Sequence, residues 1–69
     1  MTLEAFTSQV MAALGNEPEC KGLSDDELRD VMDEYADIIE GCYEDSQAED
    51  ANGDEWHIKN AAMNIAMCV

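Results

Sequence analysis

Sixty-nine residues leave room for one domain, and a chain of that size buries only a modest core. Seventeen Asp and Glu stand against three basic residues, Lys21, Arg29 and Lys59, for a formal net charge of −14. Charge on that scale excludes nucleic acid and anionic membrane as direct partners and favours encounter with a basic surface.

Other counts narrow the setting. Cys20, Cys42 and Cys68 are too few and too scattered for a secreted disulfide framework, and an odd number leaves one thiol unpaired. The first fourteen residues carry no Lys or Arg and include Glu4, so no secretory signal is expected. No apolar run approaches the roughly 20 residues that span a bilayer. A soluble, cytoplasmic protein is the expectation. The hydrophobic share is 46%, and its periodic arrangement argues for a fold rather than an acidic disordered tail.

Residues 2–14 are expected to form a first helix. Thr2 can cap it and Glu4 lies in its first turn, where the helix dipole favours an anion. Leu3, Phe6, Val10, Ala13 and Leu14 share one face at three- and four-residue spacing. Gly15-Asn16 ends the helix, and Pro18 and Gly22 mark a connection.

A second helix is expected over 24–43. Ser24 and Glu27 form a capping box, and Leu23 can staple onto Leu28 across it. Leu28, Val31, Met32, Tyr35, Ile38, Ile39 and Cys42 make one apolar stripe, with Gly41 a weak point near the end. Residues 44–53, EDSQAEDANG, have almost nothing to bury and read as an acidic loop closed by an Asn-Gly turn. Asp54 then caps a third helix, 54–68, whose core stripe is Ile58, Ala61, Ala62, Ile65 and Val69. The sum is an all-α protein, a small three-helix bundle.

On the second helix, Asp26, Asp30, Asp33, Glu34, Asp37, Glu40 and Glu44 all fall on the arc opposite the apolar stripe. Ordinary solvated faces mix both signs, because like-charge pairs at i, i+4 destabilise. As one straight helix, residues 26–44 would rise about 27 Å, giving one carboxylate per roughly 4 Å. A strand of B-DNA carries one phosphate per roughly 3.4 Å. Such a face can engage a groove built of Lys and Arg, or it can be a solvated face that serves only solubility.

The third helix has a second stripe. Trp56, Met63 and Met67 recur at i, i+7, i+11 with Asn60 between them, opposite Ile58 and Ile65. Sixteen of the seventeen acids lie between Glu17 and Glu55, and none follows. A helix apolar on two sides is either sandwiched in a core or offers a face to a partner, a second copy of the chain among the choices.

Catalytic chemistry is not expected. His57 is the only histidine and reads as a surface or half-buried polar residue, and no nucleophile motif is present. Cys20 sits among Glu17 and Glu19, which disfavour its thiolate, while Cys42 and Cys68 occupy core-side positions. Without a CxxC pair no zinc site is expected. EF-hand frames from Asp45 or Asp50 fail at the Gly and final Glu positions, so no metal or cofactor is called for. Acyl carrier proteins are small, acidic and helical too, but they carry their cofactor on the Ser of an Asp-Ser-Leu motif opening the second helix. Here Asp45-Ser46 is followed by Gln47, after that helix.

In size and charge the whole chain resembles the phage-encoded DNA mimics and anti-CRISPR proteins, without a shared motif. That resemblance implies a non-enzymatic inhibitor occupying the basic groove of a nucleic-acid-binding protein. Asp30, Asp33, Glu34, Asp37 and Glu40 would lead the contact, with Asp26 and Glu44 at its rim. The alternative is a helical interaction or dimerisation module that uses Trp56, Met63 and Met67.

Overall fold

The computed structural model of the chain describes residues 1–48 and 53–69, and every regular element among them is helical. In order they are α1 (Leu3–Gly15), a 3-10 turn (Pro18–Cys20), α2 (Asp25–Glu34), α3 (Ala36–Ala48) and α4 (Gly53–Cys68). The all-α bundle is as expected, but it has four α-helices among the described residues where three were expected.

α1 starts as its sequence dictates. Thr2 Oγ1 accepts the Ala5 N–H at 3.1 Å, satisfying one of the donors that a helix start leaves open. Phe6, Val10 and Leu14 are fully buried, whereas Leu3 sits at the rim, 37% exposed. The Asn16 N–H closes the helix on the Ala13 carbonyl at 3.1 Å. Pro18 opens the 3-10 turn, where its missing N–H is no loss, and the turn delivers Cys20 into the core.

At the start of α2 both halves of the capping box are made. The Glu27 N–H donates to Ser24 Oγ at 3.3 Å, and the Ser24 N–H donates to Glu27 Oε1 at 3.2 Å. Leu28 and Met32 enter the core, and Leu23 packs against it.

The expected helix 24–43 is in fact two. Tyr35 leaves helical geometry at φ −107°, ψ 28°. Its N–H still closes α2 on the Val31 carbonyl at 3.1 Å, and its carbonyl opens α3 by accepting the Ile38 N–H at 3.0 Å. No Gly or Pro marks the break. Its reason is tertiary. Residues 25–48 as one helix would run about 36 Å, longer than the 34 Å greatest extent of the whole molecule. α1 is only about 20 Å long. A straight rod would carry part of its apolar stripe past anything able to cover it. Ending α2 at Glu34 lets Leu28 and Met32 from one helix and Ile39 and Cys42 from the next reach a single core. The Tyr35 hydroxyl then donates to the Cys68 carbonyl at 3.2 Å, capping an acceptor left open at the end of α4.

The acidic loop expected at 44–53 is also corrected. Residues 44–48 continue α3 past Gly41, and Gly53 already belongs to α4. Ser46 is buried there, its hydroxyl satisfied by donating back to the Tyr43 carbonyl at 2.7 Å. Residues 49–52 of the expected loop, Asn52 of its turn included, lie outside the described residues. Gly53 takes φ 75°, a left-handed conformation that glycine adopts without strain. The helix therefore begins one residue before Asp54, which joins its first turn instead of capping it.

α4 is the central element and packs mainly against α1 and α3. Its buried face is Ile58, Ala61, Ala62, Ile65 and Ala66, and the three alanines keep that face narrow enough for both neighbours to approach. Val69, expected in this stripe, lies beyond the helix end and is 56% exposed. Across the core Phe6 meets Tyr43 edge to face at 5.4 Å. The Tyr43 hydroxyl donates to the Met1 carbonyl at 2.8 Å, holding the start of the chain over α3. No helix among the described residues is long and apolar enough to cross a membrane.

Candidate functional site

Two surfaces of opposite character are candidates. The first belongs to α2 and α3. On α2, burial of Leu28 and Met32 forces Asp26, Asp30, Asp33 and Glu34 to the outer arc, and all four are exposed. On α3, burial of Ile39, Cys42 and Ser46 does the same for Asp37, Glu40 and Glu44, which are exposed as well. The seven predicted carboxylates therefore all reach solvent.

They do not form the single straight row that one helix would have made. Four lie along about 12 Å of α2 and three along about 10 Å of α3, and the bend at Tyr35 sets one group against the other. Within each helix the charge density is as expected. Asp33 and Glu40, from either side of the break, line one groove against α1 with Leu3, Thr7, Met32, Ala36 and Ile39.

Relief of this charge is slight. Among the described residues the ion pair on these two helices is Arg29 with Asp26, at 3.9 Å and with both side chains well exposed. An exposed pair at that distance contributes little.

The second surface is the outer face of α4. Trp56 and Met63 are each 50% exposed and Met67 is 76% exposed. The described residues leave this stripe partly or largely uncovered. Trp56 and Met63 border an open groove of about 510 Å³ against the end of α1, lined also by Ala13, Asn16, Glu17, Lys59 and Asn60. Ala13, Asn16 and Glu17 escaped the sequence reading, because only the packing of α1 against α4 brings them beside Trp56. Lys59 is held at 3.4 Å from Glu55, one turn back on the same helix.

Two of the three thiols and the histidine are buried. Cys20 is buried, and burial pushes its thiol pKa up, helped by Glu19 and Glu17. Cys42 is also raised by burial and then by Asp45, against a hydrogen bond from Asn60 that lowers it. Cys68, expected on the core side, is exposed. It is the last residue of α4, where the helix runs past the core. His57, expected at the surface or half-buried, is only 3% exposed and meets the Trp56 ring edge to face at 4.9 Å. Its burial follows from its place beside Ile58 and one turn from Ala61, on the inward arc of α4. Among the described residues no three His, Cys, Asp or Glu side chains gather where a metal ion could be held.

No family model matches the chain, and no curated protein or solved structure shows significant similarity to it.

Proposed function

We propose that the chain is a non-enzymatic acidic inhibitor that binds the basic nucleic-acid-binding surface of a partner protein, as a DNA mimic of the phage counter-defence, anti-CRISPR-like kind. The observation that carries this reading is the outward face of α2 and α3. Asp26, Asp30, Asp33, Glu34, Asp37, Glu40 and Glu44 are all exposed, and Arg29 alone offers them a local counter-charge among the described residues. A folded protein that accepts this repulsion gains long-range attraction to a basic groove and fast association with it. The bend at Tyr35 gives the carboxylates two short rows instead of one rod, which suits a curved or stepped phosphate track better than a straight one.

A test compares the wild type with Asp33→Lys/Asp37→Lys as tagged bait in a bacterial lysate at low and high salt. The expected capture is a nuclease, CRISPR effector or other nucleic-acid-binding protein that salt releases and double-stranded DNA displaces. The double variant should keep its helical circular dichroism and lose the capture. Equal affinity of the two baits for the captured protein sinks the proposal.

A second reading has its own observation. The half-exposed Trp56 and Met63, with Met67 more exposed still, make α4 a protein-interaction face, with the acidity serving solubility.

A further inference from the structure

We infer that the outer face of α4 receives α4 of a second copy of this chain, antiparallel, in a weak symmetric dimer. This rests on the second reading above and not on the acidic-face proposal, since it uses a different surface.

The spacing points to a helix as the occupant. Trp56, Asn60, Met63 and Met67 follow one another at intervals of four, three and four residues, the rhythm of a helix-to-helix seam. Asn60 is half-buried and lines the same groove as Trp56 and Met63, but its side chain also hydrogen-bonds Cys42 of α3, so it stands at the inner edge of the stripe. The set is also symmetric about its own centre, midway between residues 60 and 63. An antiparallel two-fold pairing therefore places each Trp56 against the second copy's Met67 and each Asn60 against its Met63. Trp–Met contact is favourable, because the polarizable sulfur packs well on an aromatic ring. A two-fold interface needs a patch complementary to itself, and this one is.

Charge selects both the face and the direction. A chain at −14 meets its own copy best where carboxylates are sparse: residues 56–69 contain no Asp or Glu, and Glu17 of α1 stands at the edge of the groove. Parallel pairing would set Glu55 beside its mate. Antiparallel pairing separates the two Glu55 side chains by the length of the stripe and opposes the two helix dipoles favourably. A largest monomer patch is ordinarily about 300–600 Å². Two such patches together bury about 600–1,200 Å², at or below the low end of a standard interface, so the dimer is weak and concentration-dependent.

Sedimentation velocity over micromolar to millimolar protein, at low salt and at about 0.5 M salt, reads the equilibrium directly. Dimer is expected, and it strengthens with salt because screening relieves the repulsion between copies. Binding through the acidic face must weaken under the same change. Trp56→Ala/Met63→Ala should weaken the dimer at least tenfold with unchanged circular dichroism, while Asp33→Lys/Asp37→Lys retains it. Trp56→Lys and Met67→Glu should each disrupt the dimer alone and restore it when combined in one chain, since antiparallel pairing brings the two positions together. A monomer under all conditions overturns the inference, and so does a dimer indifferent to Trp56→Ala/Met63→Ala. Failure of the Lys–Glu combination to recover overturns the antiparallel arrangement. If the chain stays monomeric while the Trp56 and Met63 variant loses a different protein partner, the interaction-face reading survives and the dimer does not.

Discussion

Replacing Asp30 by Asn is expected to stabilise the protein, and the gain should vanish in salt. Asp30 lies in the middle of α2, away from both termini, so it neither caps the helix nor complements its dipole. It stands four residues from Asp26 and from Glu34, and three from Asp33 and from Glu27, and all five side chains are exposed. Each like-charge pair at such spacing destabilises a helix by roughly 0.2–0.5 kcal/mol. Arg29 is adjacent in sequence and points along a different arc, so its contact with Asp26 is untouched. Asn and Asp have nearly equal helix propensity, and the shapes match. Removing four repulsions should thus add about 1 kcal/mol at low ionic strength, or about 4–8 °C in Tm for a domain of this size. Raising the salt to about 1 M shortens the screening length to about 3 Å and should erase most of the difference. Urea denaturation, followed by far-ultraviolet circular dichroism and Trp56 fluorescence, measures it without adding ions. If Asp30→Asn gains nothing at low salt, or gains equally at high salt, the acidic face is not under electrostatic load and the reasoning built on it fails.

Further outcomes follow from the same contacts. Phe6→Ala removes a fully buried ring that meets Tyr43, at a cost of about 3–5 kcal/mol. A chain of this length has only about 3–10 kcal/mol in total, so the helical signal at 25 °C should drop sharply. Ser24→Ala breaks the capping box and should cost about 1 kcal/mol, seen as a lower urea midpoint with an unchanged slope. Tyr35→Phe deletes the hydroxyl that caps the Cys68 carbonyl, so amide exchange should quicken in the last turn of α4 and not in α1. For the thiols, Cys68 should react with an alkylating reagent well before Cys20 and Cys42. Burial raises both of those pKa values in the folded state, so they cost stability only where the unfolded chain would ionise them. Stability should therefore hold through neutral pH and fall as pH rises past the ordinary thiol range, which a pH series of urea midpoints can check.

Much of the local structure was legible in the residues. Thr2, Ser24 with Glu27, and Asn16 act within one turn of themselves, so their hydrogen bonds depend on neighbours in sequence alone. The apolar periodicity of Phe6, Val10 and Leu14, and of Ile58, Ala61, Ala62 and Ile65, places them inside for the same reason. The exposure of the acidic set is the complement of that burial. Wherever Leu28, Met32, Ile39 and Cys42 face in, the residues on the far arc face out.

Tertiary structure decided the rest. Nothing within residues 33–37 signals a break at Tyr35, since neither Gly nor Pro is there. The helix ends because the bundle is too short to cover a straight rod and because the Tyr35 hydroxyl has the end of α4 to reach. The same bend divides the carboxylates into two rows. Whether Trp56, Met63 and Met67 were covered depended on how many helices surround α4, and Asn16 and Glu17 joined Trp56 only through the packing of α1. Periodicity reports which arc of a helix is apolar, and the number of neighbours able to cover that arc is a property of the assembled bundle.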